Sequence, residues 1–110
     1  MKQTRPKIVC HRGAKTFAPE NTLSAIDLAI GLGFNIVEID VRQTKDGVPV
    51  VLHDSSVNRT TDGSGEIKKM NYADVSKLDA GSWFDPSFAG ESVPRLEDIL
   101  VHAKGCLEIY

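Results

Sequence analysis

The stretch Ile36-Val37-Glu38-Ile39-Asp40-Val41 decides the fold, because it is an apolar run that carries two carboxylates at alternate positions. Side chains alternate across a β-strand, so Glu38 and Asp40 would lie on one face and the apolar residues on the other. A strand is therefore predicted over 35–42, with one face for a buried core and one face for polar chemistry.

Other segments of the chain carry the patterns of buried strands and amphipathic helices. The strand–helix–strand order favours an α/β fold with a parallel sheet and crossover helices. Asn21 is a residue type that can cap a helix, and Gly31 and Gly33 suit the end of that helix. Further strands are predicted over 7–11, over 48–53 and from residue 106, and helices over 21–32 and 96–104.

The stretch 54–94 is long, polar and rich in Ser, Gly, Asp and Thr. It has weak helical character over 72–78 and an aromatic pair at Trp83-Phe84. These rings are expected to pack a small core within the stretch, or alternatively to wall a substrate pocket. His102 lies on the predicted helix that follows, and we interpret it as an ordinary helix residue.

The segment Lys45-Asp46-Gly47-Val48 predicts a hairpin, because Asp-Gly is favoured in two-residue loops. With Asp46 and Gly47 as the loop, Lys45 pairs with Val48, and Asp40 then lies opposite His53. A bulge would shift this register.

Glu38 and Asp40 on one face repel each other unless a cation or a proton joins them. Mg²⁺ and Ca²⁺ prefer oxygen ligands, and Glu108, between Leu107 and Ile109 on the last strand, could add a third. The alternative is that Glu38 and Asp40 are solvated positions on an edge strand.

His11 and His53 each follow an apolar run, near strand ends that also present acids. Imidazole titrates near neutral pH, so one ring could act as a base and the other as an acid. Arg12 could bind a phosphate oxygen through its planar fork. The alternatives are a hydrogen-bonded structural role for each histidine and a surface salt bridge for the arginine.

Composition restricts the class of protein. The net charge of −2 over 110 residues does not indicate a nucleic-acid partner. No apolar run approaches the roughly 20 residues that span a bilayer, and the first residues do not form a secretory signal. Cys10 and Cys106 are interpreted as reduced core residues, so a cytoplasmic protein is expected.

Taken together, these motifs resemble the amino-terminal part of the glycerophosphodiester phosphodiesterase family. The resemblance runs from about Ile8 to the carboxyl terminus, with the motifs in the family's order and spacing. They are His11-Arg12-Gly13, Pro19-Glu20-Asn21-Thr22, Glu38-Ile39-Asp40-Val41, Thr44-Lys45-Asp46-Gly47, Val50-Val51-Leu52-His53-Asp54, Asn58-Arg59-Thr60-Thr61 and Pro94-Arg95-Leu96-Glu97.

The resemblance implies a TIM-barrel enzyme that hydrolyses a small glycerophosphodiester to glycerol 3-phosphate and an alcohol. It implies His11 and His53 as the acid/base pair, with Arg12 on the phosphate. It also implies that Glu38, Asp40 and Glu108 bind a divalent metal ion, Mg²⁺ or Ca²⁺. Glu20 and Asn21 would support the site, with a helix cap as the equal alternative for Asn21. Residues 54–94 would be the family's insertion beside the active site.

The chain departs from the family pattern in two ways. Tyr110 stands where the family often has a lysine, so a phosphate-facing cation is missing there. A TIM barrel also takes about 250 residues. Residues 1–110 are therefore expected to be the amino-terminal portion of a single catalytic domain, with about three barrel strands. Incomplete barrel edges would favour self-association. The alternatives are a non-catalytic fragment that associates with another chain, and a related phospholipase, which the hairpin and insertion disfavour.

Overall fold

The computed structural model describes residues 9–13, 15–34, 36–103 and 108–109, with the side chains of 9–11 and 108–109 outside that description. The described residues form short strands and helices. The strands are β1 (Val9–His11), β2 (Ile36–Glu38), β3 (Val41–Gln43), β4 (Pro49–Val51) and β5 (Glu108–Ile109). The helices are α1 (Leu23–Gly31), α2 (Tyr72–Val75) and α3 (Leu96–Ala103), with 3₁₀ turns at Ile67–Lys69 and Pro86–Phe88.

The predicted parallel sheet is present. Strands β1, β2 and β5 pair in parallel in the order β1-β2-β5. Val9 pairs with Ile36 and His11 with Glu38 across β1 and β2, and Glu108 pairs with Ile36 across β2 and β5. The carboxyl end of β2 therefore lies beside the end of β1, which brings Glu38 level with position 11.

The prediction of one continuous strand over 35–42 was wrong, because this segment forms two separate strands, β2 and β3. The chain leaves the parallel sheet at Ile39 and Asp40 and enters an antiparallel pair of β3 and β4. Val37 and Ile39 are buried as predicted, whereas Val41 is 48% exposed because it already belongs to the hairpin.

The predicted hairpin register was also wrong by one residue. Val41 pairs with Val51 and Gln43 with Pro49, so Asp40 lies opposite Leu52, whose N–H donates to the Asp40 carbonyl over 2.9 Å. The loop has three residues, 45–47, and Gly47 adopts a φ of +84°. A three-residue loop that ends in a left-handed glycine is the bulged alternative to the two-residue Asp-Gly turn.

Strand β4 joins two hydrophobic cores. Val51 packs in a core between the sheet and the helices, whereas Val50 and Leu52 on its other face pack in a second core. The first core contains Ile26, Ala29, Val37, Ile39, Val51, Ile99 and Ala103, and the second contains Val50, Leu52, Val57, Ile67, Val75, Ala80 and Val93. Because side chains alternate along β4, one of its faces packs on the first core and the other packs on the segment 54–94, which begins directly after His53.

Helices α1 and α3 lie side by side over the first core. His102 lies on α3, and its Nε2 contacts the carboxylate of Asp27 on α1 in an exposed ion pair. None of the helices within the described residues has the length and apolar character needed to cross a membrane.

Candidate active site

The turn after β1 has an unusual backbone. Arg12 and Gly13 both have left-handed φ values, of +55° and +74°. Glycine is required at position 13, because a Cβ there would lie 2.7 Å from the Cβ of Ala25 on α1. This close approach fixes the turn against the first helix and directs the Arg12 side chain toward the end of β2.

The guanidinium of Arg12 lies between two carboxylates. Its Nη1 donates to Glu20 Oε2 over 3.2 Å, and its Nε lies 3.5 Å from Asp40 Oδ2 without making a hydrogen bond. The Arg12 side chain is 16% exposed. Two acids therefore orient this arginine, while its buried Nε donates to none of the described residues.

Asn21 supports Asp40 and does not cap the helix. Its Nδ2 donates to Asp40 Oδ2 over 3.1 Å, and the side chain is buried. Thr22 is the N-cap of α1, since its hydroxyl accepts from the Ala25 N–H over 3.3 Å. The prediction of an Asn21 cap was wrong, because Asn21 sits one residue earlier with a left-handed φ of +58°.

His53 is oriented by the residue that follows it. Its Nδ1 lies 2.7 Å from Asp54 Oδ1, and its carbonyl accepts two hydrogen bonds from Arg42, at 3.1 Å from Nε and 2.6 Å from Nη2. A carboxylate acceptor favours a proton on Nδ1. The other ring nitrogen, Nε2, makes no hydrogen bond to the described residues. It is therefore available for proton transfer.

Arg59 joins the two groups of residues. Its Nη1 and Nη2 donate to the two carboxylate oxygens of Glu20 over 3.0 and 2.9 Å. Its Nε and Nη2 donate to the two oxygens of Asp54 over 2.9 and 3.1 Å. A continuous chain of contacts therefore runs from Arg12 through Glu20, Arg59 and Asp54 to His53.

The electrostatics follow from these contacts. Burial raises the pKa of Glu20, but hydrogen bonds and charge from Arg59, with smaller contributions from Arg12 and His53, outweigh it and lower the pKa overall. Hydrogen bonds from Arg59 and His53 lower the pKa of Asp54. The hydrogen bonds to Asp54 and Glu20 raise the pKa of Arg59 in turn. The two acids are thus held as carboxylates.

Among the described side chains, the structure brings together several members of the predicted site. Arg12, Glu20, Asn21 and Asp40 form one cluster, and His53 is linked to it through Arg59. Glu38 is exposed, and its carbonyl accepts the Arg12 N–H over 2.5 Å. The side chains of His11 and Glu108 lie outside the described residues, as do Cys106 and Tyr110 and the side chain of Cys10.

Within the described side chains, no three His, Cys, Asp or Glu residues are grouped closely enough to hold a metal ion. The predicted three-carboxylate set includes Glu108, whose side chain lies outside the described residues.

Reasoning from the sequence assigned no individual role to three residues that orient the site: Arg42, Asp54 and Arg59. A carboxylate directly after a histidine at a strand end is a signal that could have identified Asp54. Arg59 was visible only as part of a family motif, because its partner Glu20 is 39 residues away.

The aromatic pair lies outside both cores. Trp83 and Phe84 stack edge to face at 5.8 Å, and Phe84 stacks similarly on Phe88. Among the described residues, neither Trp83 nor Phe84 is a member of the second core or packs against it, so the expected packing role was wrong. Phe88, the last of these three stacked rings, lines a surface groove together with Phe17 and Leu28.

Comparison with known proteins identifies the family. The model of the glycerophosphoryl diester phosphodiesterase family matches residues 11–109. The chain belongs to this family. Its match to the protein YhdW of Bacillus subtilis is 50% identical over 93 residues and covers 84% of this chain and 38% of YhdW.

Solved structures of the family share the fold. A glycerophosphodiester phosphodiesterase from Agrobacterium tumefaciens superposes with a TM-score of 0.94 at 48% identity, over 96% of this chain and 46% of that protein. An Oleispira antarctica phosphodiesterase in complex with the product sn-glycerol-3-phosphate superposes with a TM-score of 0.89 at 40% identity, over 96% of this chain and 44% of that protein. The chain thus spans less than half the length of these relatives, and its fold is the first part of a phosphodiesterase TIM barrel.

Proposed function

We propose that the protein hydrolyses small glycerophosphodiesters to glycerol 3-phosphate and an alcohol, with a divalent metal ion. The observation that carries this proposal is the His53 imidazole, held through Nδ1 by Asp54 and linked through Arg59 to the cluster around Arg12. Family membership supports the reaction class, and the product complex of the Oleispira antarctica relative supports the substrate class.

His53 and His11 are the proposed acid/base pair. With its Nδ1 proton donated to Asp54, neutral His53 presents an unprotonated Nε2 that can take a proton, and the protonated ring can return one. One of the two histidines would activate the nucleophile, water or a substrate hydroxyl, and the other would protonate the leaving alkoxide. The backbone pairing of position 11 with Glu38 supports a place for His11 at the same end of the sheet.

Arg12 is the proposed phosphate ligand. Its guanidinium is fixed by Glu20 and Asp40, but its buried Nε makes no hydrogen bond to the described residues. A buried donor without an acceptor costs free energy, and a phosphate oxygen is a strong acceptor for this group. This unsatisfied donor supports binding of an anionic substrate group beside Asp40.

Glu38, Asp40 and Glu108 are the proposed metal ligands. Asp40 uses Oδ2 for Asn21 and Arg12, and Oδ1 receives no hydrogen bond from the described residues. A carboxylate oxygen with an open coordination position is suitable for Mg²⁺ or Ca²⁺. The bound ion would neutralise negative charge on the phosphate. Glu20 and Asn21 would hold Arg12 and Asp40 in place.

The domain organisation and the location are proposed on the same basis. Residues 1–110 would be the amino-terminal portion of one catalytic domain, with residues 54–94 as an insertion that packs on β4. The cytoplasmic location and the self-association through barrel edges stay predictions from the sequence.

The test is an assay of the protein as its gene encodes it. Purified protein is incubated with glycerophosphocholine and Mg²⁺ or Ca²⁺, and glycerol 3-phosphate release is measured with and without EDTA. We expect metal-dependent release that is lost in His53→Ala and His11→Ala. Wild-type release no greater than that of these variants would contradict the proposal. Cleavage of an intact phospholipid instead would favour the related phospholipase.

A further inference from the structure

Arg59 links two acids that contact different proposed catalytic groups. One edge of its guanidinium binds both oxygens of Glu20, and the other binds both oxygens of Asp54. Glu20 is itself bonded to Arg12, and Asp54 to His53. We propose that Arg59 is a positioning residue that holds the His53 ring in its working orientation and tautomer through Asp54.

The geometry explains why one arginine can do this. A guanidinium is planar and rigid and carries five N–H donors, so bidentate contacts on two edges fix both carboxylates relative to one plane. Asp54 Oδ1 accepts from both Arg59 Nη2 and His53 Nδ1, at 3.1 and 2.7 Å. Rotation of the Asp54 carboxylate would break both contacts, so Arg59 restricts the acceptor that selects the His53 tautomer.

The anchoring of the other edge makes the arrangement rigid. The Glu20 side chain is only 9% exposed and is held by Arg12 as well as Arg59. Glu20 belongs to the segment before α1, whereas Asp54 and Arg59 belong to the insertion after β4. Arg59 therefore fixes the start of the insertion, and with it His53, to the part of the barrel that carries Arg12.

Arg95 provides a matched control within the same chain. It also binds a carboxylate through two nitrogens, at 3.2 and 3.0 Å from Asp98, and contacts Glu97. These partners lie two and three residues away and make no contact with the proposed site residues among the described contacts. Loss of Arg95 therefore removes a comparable ion pair without releasing His53.

The catalytic part of this inference rests on the proposed function. Arg59→Gln should lower kcat about tenfold to a hundredfold, since small displacements of a catalytic group cost such factors. KM should change by less than about threefold, because Arg12 keeps its contacts with Glu20 and Asp40. Arg95→Gln should leave both constants close to wild type.

Asp54→Ala should lower kcat by a similar factor. The kcat of the Arg59→Gln/Asp54→Ala double variant should be no lower than that of Asp54→Ala, because both residues act through the His53 ring.

A second readout does not depend on activity. The ¹⁵N shifts of the His53 ring, measured at a pH where the ring is neutral, report which nitrogen carries the proton. We expect the Nδ1–H tautomer in the wild type and a shift toward Nε2–H in Arg59→Gln and in Asp54→Ala. If the wild type releases no glycerol 3-phosphate, the proposed function fails while the ring shifts still test the role of Arg59.

Wild-type ring shifts and a kcat within twofold of wild type in Arg59→Gln would overturn the inference. So would additive losses in the double variant. If Arg59→Gln does not fold by circular dichroism, Arg59→Lys replaces it. Lysine keeps the positive charge but cannot make bidentate contacts with both carboxylates, so kcat and the His53 ring shifts should still change. Wild-type behaviour of a folded Arg59→Lys would overturn the inference equally.

Discussion

The carbonyl of Arg12 accepts a hydrogen bond of 2.8 Å from the N–H of Asn21, and both residues have a left-handed backbone. Among the described residues, they are the two non-glycine residues with positive φ. Each such conformation costs about 1–2 kcal/mol for an ordinary side chain. Both side chains nevertheless converge on Oδ2 of Asp40. The surrounding contacts therefore hold both residues in the left-handed region, where their side chains orient one carboxylate.

This relationship predicts different effects for two substitutions of Asn21. Asn21→Gly loses the amide bond to Asp40 at a φ that glycine adopts freely, whereas Asn21→Ala loses that bond and places alanine in a left-handed conformation that it adopts less readily than asparagine. We expect Asn21→Ala to lower the free energy of unfolding by about 2 kcal/mol, and Asn21→Gly by about 1 kcal/mol. Urea denaturation measures both values.

The matched control is Thr22→Ala, which removes the true helix cap and should cost about 1 kcal/mol without altering Asp40. Asn21→Ala and Asn21→Gly variants of equal stability would show that the left-handed backbone at position 21 is not strained.

Much of the fold could be predicted from the sequence because it depends on local patterns. The parallel strands and both longer helices follow from apolar periodicity, and their bounds differ by a few residues from the structure. The break at Asp40 could not be predicted, since the apolar alternation continues without interruption from β2 into β3. What divides them is the hydrogen bond from Leu52 N–H to the Asp40 carbonyl, a contact outside the local sequence.

The hairpin register depends on a side chain that the Asp-Gly rule ignores. Thr44 Oγ1 accepts from the Val48 N–H over 3.0 Å and donates to Asp46 Oδ1 over 2.6 Å. These bonds stabilise a three-residue loop, and the one-residue shift moves Asp40 away from His53.

The candidate site depends even more on contacts between residues that are distant in sequence. Residue types identified Arg12, Asp40 and His53 as candidates, but only the tertiary structure brings Arg59 between Glu20 and Asp54.

Gly13 is predicted to tolerate no side chain. A Cβ at this position would lie 2.7 Å from Ala25 Cβ, and the φ of +74° disfavours any other residue. Gly13→Ala should therefore destabilise the protein by about 2–3 kcal/mol and displace Arg12. Thermal or urea unfolding gives the stability, and glycerol 3-phosphate release gives the activity.

Gly33→Ala separates the two causes, because position 33 has a similar φ of +84° but no atom near the added Cβ. It should cost only the backbone term, about 1–2 kcal/mol. A Gly13→Ala variant no less stable than Gly33→Ala would contradict the contact with α1.

The contacts of Arg59 predict a pH-dependent contribution to stability. The pKa of Glu20 and the pKa of Asp54 are both lowered in the folded state. A group with a lowered folded pKa stabilises the fold above its unfolded pKa, and this contribution is lost as the pH falls through the folded pKa. Arg59→Gln should therefore be about 1–2 kcal/mol less stable than wild type at neutral pH, with a difference that shrinks below about pH 4.

Urea denaturation from pH 7 to pH 3 measures this difference. Lys69→Gln is the control, since it removes an exposed ion pair with Glu66 and should change stability little at any pH. A difference between wild type and Arg59→Gln that stays constant down to pH 3 would show that Glu20 and Asp54 do not depend on Arg59 for their charge.

Metal binding should depend on Glu38 and Asp40 even when no substrate is present. Glu38→Gln and Asp40→Asn each remove one negative charge from the proposed carboxylate set, so each should weaken Mg²⁺ or Ca²⁺ binding by about tenfold or more. Calorimetric titration of the protein, first stripped with EDTA, measures the affinity directly.

Asp74→Asn is the matched control, because Asp74 is an exposed acid on α2. Asp40→Asn also alters the contacts of Asp40 with Arg12 and Asn21. Equal affinity in wild type and Glu38→Gln would remove Glu38 from the metal site. Retention of full activity after EDTA treatment would contradict metal dependence altogether.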